Sequence, residues 1–173
     1  MTVLQLYTAI KSLILANTTN YSNATIFIGQ QNNTVMPSSG NYVIMTKLNE
    51  KDEILLPLQE YDPINNIDTS TTLIEAPFQI DFYGSTAEED AGQFGALLNS
   101  KFANQFFNDN NYKCSVSSND PPINLNSISG REQYLPRFMV KVRLFYNRVV
   151  TVADLGIDTI TGKSYEANSL PSE

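Results

Sequence analysis

The sequence predicts a single α+β domain of 173 residues, with a mostly antiparallel twisted sheet and two main helices packed on one face. Residues 76–83 alternate, with Phe78, Ile80 and Phe82 on one side, which is the period of a half-buried strand. After Gly84 the apolar residues recur every three or four positions, which indicates a helix that packs back on the sheet. Strand patterns before and after this helix favour the α+β class.

The helix after Gly84 is predicted to be one element that ends near residue 108. Ser85 and Glu88 have the spacing of a capping box. The three acidic residues 88–90 place negative charge at the positive end of the helix dipole. The apolar stripe of this helix comprises Ala87, Ala91, Phe94, Leu98 and Phe102.

The first part of the chain is predicted to contain one helix and short strands. Residues 2–16 form the helix, which Thr2 can cap. Its buried stripe comprises Leu6, Ile10, Leu13 and Ile14. Short strands are predicted over 25–28 and 42–46, and Pro57 favours an edge strand over 54–61 because proline lacks the N–H that a central strand would need.

The remaining strands are predicted to complete the domain, which is assigned to residues 1–152. Residues 63–70 are predicted to be a loop, followed by the strand over 71–83 with a bulge or bend at Pro77. Further strands are predicted over 112–117 and 133–152, and the second of these alternates over most of its length. Residues 153–173 are assigned to a C-terminal extension that is mobile or docks on a partner.

The composition excludes several kinds of chemistry. Histidine is absent and Cys114 is the only cysteine, so the commonest general base, every Cys/His zinc pattern and an intrachain disulfide are excluded. Cys114 is interpreted as a small buried hydrophobe. The acidic run 88–90 points in different directions on a helix, so it is interpreted as capping charge and not as a metal site. No catalytic residue, metal or cofactor is predicted, and a carboxylate-dependent hydrolase is disfavoured.

No segment approaches the ~20 apolar residues that a membrane span needs. Because no basic region precedes the apolar N-terminus, a signal peptide is not expected either.

The net charge of −7 argues against a general nucleic-acid coat, but the charge is unevenly distributed. The candidate basic residues are Arg131, Arg137, Lys141, Arg143 and Arg148. The candidate acidic partners are Glu50, Asp52, Glu53, Glu88 and Glu89. Two patches of opposite sign indicate either a solvated surface or, in a ring-forming subunit, surfaces that face each other across a repeated interface.

Several short segments follow one another in a recognisable order. They are Phe78-Gln-Ile-Asp-Phe-Tyr-Gly84, an Ala-containing helix that ends in aromatic residues, the Asp120-Pro121 loop, Ile128-Ser-Gly-Arg-Glu-Gln-Tyr134 with Arg137-Phe138, and Leu144-Phe-Tyr-Asn147 followed by Val149-Val-Thr-Val152. This order resembles the neck and tail-terminator proteins of tailed bacteriophages over roughly residues 72–155. The chain departs from that pattern at Phe138, where tryptophan is usual, at Arg148, where proline is common, and in the loop around 117–120.

The resemblance implies a virion structural protein and not an enzyme. Such a terminator or neck subunit forms a ring, typically hexameric, that caps the tail tube, stops its growth and joins the tail to the head connector. The implied partners are other copies of the chain, the tail tube protein, a sheath protein where one is present, the head-connector or stopper protein, and DNA only transiently through the lumen; no membrane is involved.

On this resemblance the protein is expected in the virion neck, at the head-proximal end of the tail, after synthesis in the host cytoplasm. Its basic residues would face a neighbouring subunit or, second, line the lumen, where a few spaced cations suit DNA that must slide. Two alternatives remain: a head-completion protein (stopper or adaptor), and a small phage protein that binds a host factor.

Overall fold

The computed structural model describes residues 1–29, 37, 40–49, 57–125, 127–128 and 134–153. Its elements are α1 (Val3–Asn17), β1 (Ile26–Ile28), β2 (Tyr42–Lys47), β3 (Leu58–Asp62), β4 (Ile67–Tyr83), α2 (Ala87–Asn99), α3 (Lys101–Asp109), β5 (Cys114–Asn119), β6 (Ile123–Asn124), β7 (Ser127–Ile128), β8 (Tyr134–Leu135) and β9 (Arg137–Ala153). The predicted α+β class is confirmed.

Seven of the strands form one sheet with the order β1-β2-β4-β9-β5, in which β3 also pairs with β4 and β6 with β9. The pairing of β1 with β2 is parallel, and the other pairs in this sheet are antiparallel. Strands β7 and β8 form a separate antiparallel pair. The sheet is therefore mostly antiparallel, as predicted.

Strands β4 and β9 form the centre of the sheet and pair along their whole length, from Ile67↔Ala153 to Tyr83↔Arg137. Their even-numbered residues share one face, which we call the helix-side face, and their odd-numbered residues share the other, which we call the open face. The fully buried residues of the helix-side face are Phe78, Ile80, Phe82, Val140, Val142 and Leu144. The predicted alternation of both strands is confirmed.

The helices cover the helix-side face. The Tyr7 ring of α1 meets the Phe78 ring edge to face at 5.2 Å, and the Phe94 ring of α2 lies 5.6 Å from that of Phe82. Helix α3 adds Phe107 to the same core. Among the described residues no helix lies on the open face, so the predicted arrangement with helices on one side is confirmed.

The predicted start of α1 is also confirmed, with a complete capping box. The Thr2 hydroxyl accepts a hydrogen bond from Gln5 N (3.3 Å), and Gln5 Oε1 accepts one from Thr2 N (2.7 Å). The predicted stripe of Leu6, Ile10, Leu13 and Ile14 is buried against the sheet.

The predicted capping box of Ser85 and Glu88 is wrong. Helix α2 begins at Ala87 after Thr86, whose side chain caps no backbone N–H. The Thr86 hydroxyl instead donates to Asp90 Oδ2 (2.6 Å), because Asp90 is buried and needs donors. Gly84 ends β4 as predicted, with a φ of 110° that a side chain would strain.

The predicted single helix after Gly84 is divided at Ser100. This residue is extended (φ −93°, ψ 164°), and its hydroxyl oxygen accepts from Phe102 N at 3.2 Å, so it caps a new helix. The break changes the phase of the apolar stripe. Phe102 is therefore exposed, contrary to the prediction, and Ala103 and Phe107 are buried in its place.

The predicted loop over 63–70 is shorter than expected, because β4 already begins at Ile67. Asp62 closes a tight turn: its carboxylate accepts from Asn65 Nδ2 (2.7 Å) and Asn65 N (3.3 Å), and Asn66 has a positive φ of 51°. These hydrogen bonds, first that from the Asn65 side chain, lower the pKa of the Asp62 carboxyl group.

The predicted bulge at Pro77 is absent, since the register of β4 with β9 is continuous through Pro77↔Arg143. The Pro77 carbonyl accepts from Leu48 N (2.9 Å), just beyond the end of β2. The missing N–H of Pro77 therefore faces the place where the β2 ladder stops, and no ladder bond to β9 is lost. The irregularity lies in β5, between Val116 and Ser118.

Cys114 is buried, as predicted, and burial raises the pKa of its thiol to about 12. At pH 8 only about one thiol in 10⁴ is then ionised, so the native protein should react with a thiol reagent orders of magnitude more slowly than the chain in urea. Stopped-flow absorbance with an aromatic disulfide at pH 8 measures both rates. Comparable rates with and without urea would contradict the burial of this thiol.

Among the described helices, none is long and apolar enough to cross a bilayer. Several predictions fall outside the described residues. They concern Arg131, the candidate acidic residues Glu50, Asp52 and Glu53, and the C-terminal extension except for Ala153 at the end of β9.

Candidate assembly surfaces

The open face carries regular rows of side chains across β2, β4 and β9. The three rows nearest the end of β4 are Tyr42, Tyr83 and Arg137; Ile44, Asp81 and Met139; and Thr46, Gln79 and Lys141. Aromatic, apolar and charged groups are therefore interleaved on a sheet face that no described helix covers. Tyr42, Asp81 and Met139 are nevertheless buried within the subunit, at 5%, 3% and 6% exposure.

Arg137 forms an ion pair with Asp81 on this face. Asp81 Oδ1 lies 3.1 Å from both Nε and Nη2 of Arg137, and Asp81 Oδ2 accepts from Gln79 Nε2 at 2.8 Å. Asp81 is only 3% exposed, although it lies on the face that the sequence predicts to be polar. Its carboxylate thus has partners on both oxygens, and the charge of Arg137 is neutralised within the subunit.

Two tyrosines extend this ion pair into a stack. The Arg137 guanidinium lies 5.5 Å from the centre of the Tyr83 ring, which stacks on the Tyr42 ring at 4.5 Å and 9°. Burial raises the pKa of both tyrosines, and the charge of Arg137 partly offsets this rise. Arginine and tyrosine are the residue types that most often dominate binding at protein interfaces.

Arg143 is also engaged within the subunit. Its Nη1 donates to Ser118 Oγ (2.9 Å) and lies 3.4 Å from Asp120 Oδ1. Both charged side chains are about one-third exposed, so this pair contributes roughly 1 kcal/mol or less. Its position shows what it does: it ties β9 to the irregular edge of β5.

The remaining predicted basic residues do not share one surface. Lys141 is half-buried on the open face and makes no ion pair with the described residues. Arg148 lies on the helix-side face, where its Nη2 donates to the Tyr146 hydroxyl at 3.2 Å. The structure therefore brings Arg137, Lys141 and Arg143 together on one face and separates Arg148 from them.

Glu88 and Glu89 are exposed in the first turn of α2, in the helix layer and away from the open face. Their neighbour Asp90 is different, since it is only 3% exposed. It accepts hydrogen bonds from Asn20 Nδ2 (2.9 Å), Tyr21 Oη (2.7 Å) and Thr86 Oγ1. Sequence reasoning missed this hydrogen-bond network. No local pattern relates Tyr21, in the turn after the first helix, to a carboxylate 69 positions further along the chain.

A second surface was missed as well. Beyond the helices the sheet continues as three strands, which we call the arm: β3, residues 67–72 of β4 and residues 148–153 of β9. The arm and its turn carry the exposed apolar residues Leu58, Tyr61, Ile64, Val149, Val150 and Val152. The sequence signal for this surface is the run of valines near the end of β9. Because residues 63–70 were predicted to be a loop, this run had no strand to pair with in the prediction.

The described residues offer little for catalysis. They contain no group of three or more histidine, cysteine or acidic side chains that could hold a metal ion. A cleft beside the N-terminus is lined by Met1, Gln5, Asn110, Asn111, Tyr112 and Lys113, which include no nucleophile paired with a base. What the arrangement provides is surface for contact with other chains.

This fold and these surfaces are typical of an assembly subunit that acts through contacts. A family model of phage neck terminator proteins matches residues 4–168, nearly the whole chain, and the chain therefore belongs to that family. The family that the sequence resembled is thus confirmed, and with it the role of a tail terminator. The family consists of structural tail proteins and not of enzymes, and its members are virion components.

No curated protein matches the sequence. Among solved structures, the chain is similar to the sheath/tube terminator of an extracellular contractile injection system, PVC, in its extended state. The TM-score is 0.44 at 9% sequence identity, and the match covers 99% of this chain and 66% of that chain. This chain thus spans slightly less than two thirds of the length of that protein.

Proposed function

We propose that copies of this chain assemble into a closed ring, expected to contain six subunits, that binds the last ring of the tail tube and ends its growth. The other side of the ring would join the head connector. The observation that carries this proposal is the open face, which no described helix covers and on which the half-buried side chains of Leu73, Lys141 and Phe145 remain accessible. Sheets in stable proteins bury their faces in layers, so such a face favours contact with another chain.

In this ring the basic residues of the open face lie against a neighbouring subunit, with lumen lining as the second possibility. Arg137 and Arg143 already have Asp81 and Asp120 as partners, which favours protein contacts over binding to phosphate groups. Where such side chains do border the lumen, DNA could slide past them. Glu88 and Glu89, in the opposite layer, would meet a different surface of the assembly.

The proposed site of action is the neck, at the head-proximal end of the tail, after synthesis in the host cytoplasm. The proposed partners are the tube protein, a sheath protein in a contractile tail, and the head-connector or stopper protein. Residues 153–173 are proposed to extend from the domain toward one of these partners. The ring would act by shape and surface complementarity, without catalysis. Nothing in the described structure favours a head-completion protein or a host-factor-binding protein.

Phage particles assembled without this protein should carry tails longer than normal, because nothing ends tube growth. Electron micrographs of particles from a deletion strain, with and without the gene supplied in trans, measure the tail length. Light scattering on the purified chain, alone and with isolated tubes, should detect a ring-sized assembly free or at tube ends. Tails of normal length in the deletion strain, or a stable monomer that binds no tube, would contradict the proposed function.

A further inference from the structure

The arm is a sheet with uncovered faces. Ile74 and Tyr146 are the last buried pair of β4 and β9, at 3% exposure each. Beyond them the ladder continues for seven more pairs to Ile67↔Ala153. At about 3.4 Å per residue, the arm extends roughly 20 Å past the core. Small β-sheets without a packed face are marginally stable in water, so this one is expected to be covered in the assembled protein.

The helix-side face of the arm combines apolar groups with one acid. In the cross-strand register, Tyr61, Asp68 and Val152 form one row, and Val150 belongs to the next row on the same face. Tyr61, Val150 and Val152 are each at least half exposed, and the Asp68 side chain is exposed among them. Helices cover this face in the body of the domain, but no described helix reaches the arm.

The open face of the body offers the complementary pattern. It presents the half-buried side chains of Leu73 and Phe145 together with Lys141, which has no ion pair with the described residues. Glu75 lies opposite Phe145 on this face, and its Oε1 already accepts a hydrogen bond from Ser117 Oγ (3.0 Å). The arm and this face belong to the same continuous strands, so the arm cannot fold back over it within one chain. The two surfaces can meet only between two chains.

We propose that the arm of one copy packs, with its helix-side face, on the open face of the next copy in the ring. The arm would supply the layer that the open face lacks, as in two sheets stacked about 10 Å apart, and the neighbour's sheet would replace the helices missing from the arm. Asp68 of one copy would then lie near Lys141 of the next. This inference rests on the proposed ring and names the contact that builds it.

The size of the arm suits this partner. Three strands about 4.8 Å apart and roughly 20 Å long present on the order of 300 Å² on each face, before the side chains are counted. A stable interface needs about 800 Å² from each partner, so the arm supplies a substantial part of one contact. Because the arm and the open face are different surfaces, the contact is heterologous and can close a ring.

Two variants separate the two halves of this contact. In the arm variant, Val150→Asp and Val152→Asp place carboxylates on side chains that are 50% and 58% exposed, so no core side chain is removed. Because Val152 lies opposite Asp68, thermal unfolding has to show that the domain still folds. In the face variant, Lys141→Glu reverses the charge on the open face. Leu4→Asp is the matched control, because it replaces an apolar side chain that is 67% exposed but lies on α1, away from both surfaces.

Each variant alone should associate with itself at least about tenfold more weakly than the wild type, because an unpaired carboxylate would be buried in the contact. An equal mixture of both should form a two-chain species, since one intact arm meets one intact open face. The control should assemble normally. Sedimentation velocity measures the association of each variant and of the mixture. If assembly needs tubes, the number of chains bound per tube end is counted instead, and thermal unfolding checks that each variant is folded.

Three outcomes would overturn the inference. In the first, both variants assemble like the wild type. In the second, the variants fail alone and their mixture stays monomeric, so the contact is not between the arm and the open face. In the third, the variants form rings but no longer stop tube growth, so the arm binds the tube protein. All three leave the proposed function standing, whereas a wild-type chain that never assembles would refute that function instead.

Discussion

Replacing Phe78 by alanine should lower the free energy of unfolding by about 4 kcal/mol. Phe78 is fully buried in the middle of β4, with Val142 beside it on β9 and the Tyr7 ring above it. The truncation removes buried apolar surface and one aromatic pair, and it leaves a cavity that a paired strand cannot move to fill. Urea unfolding followed by circular dichroism, at a protein concentration where the chain is monomeric, measures this loss.

Phe102→Ala is the matched control, since it removes the same side chain from a position that is 44% exposed in the first turn of α3. We expect it to cost about 1 kcal/mol or less. The comparison also tests the division of the predicted helix at Ser100, because a continuous helix would place Phe102 in the buried stripe. Losses of equal size for both variants would show that Phe102 is a core residue.

Replacing Asp90 by alanine should lower the free energy of unfolding by about 3 kcal/mol. The Asp90 carboxylate accepts from Asn20, Tyr21 and Thr86. Removing it leaves the buried Tyr21 hydroxyl and its neighbours without an acceptor in a place that water does not readily reach. Glu89→Ala, which removes an exposed carboxylate from the same helical turn, should cost only about 0.5 kcal/mol through the helix dipole.

A double-mutant cycle of Asp90→Ala with Tyr21→Phe shows whether the hydrogen bond itself carries the effect. The losses in the free energy of unfolding caused by the two substitutions should not be additive. We expect a coupling free energy of about 1 kcal/mol, because both changes remove the same 2.7 Å hydrogen bond. Urea unfolding of the four proteins gives the coupling. Strict additivity would mean that Asp90 stabilises the helix start independently of the turn that contains Tyr21.

Sequence periodicity predicted those parts of the fold that depend on neighbouring residues. The alternation in β4 and β9 identified the buried face, and Thr2 with the apolar stripe after it identified α1. Both signals are local, since a strand alternates every two residues and a helix repeats every 3.6. The order of short segments around these elements was also enough to indicate the terminator family, which the family match confirms.

Local signals failed where a distant partner decided the structure. Residues 67–70 resemble a loop by composition, yet they are a strand because Val150 and its neighbours in β9 pair with them. Ser100 fits inside a helical pattern, but its hydroxyl caps a new helix that buries Phe107. Sequence reasoning placed the candidate basic residues in one group, but the register of the sheet separates Arg148 from Arg137, Lys141 and Arg143.

By itself, the sequence determined the class of fold, the buried faces of the main elements, the absence of histidine chemistry and the family. The tertiary structure alone decided which charges are neutralised, as Arg137 is by Asp81, and which faces are left uncovered, as on the arm. The physical reason is distance along the chain. A repeat is set by adjacent residues, whereas an ion pair across two strands depends on a register fixed between positions more than fifty residues apart.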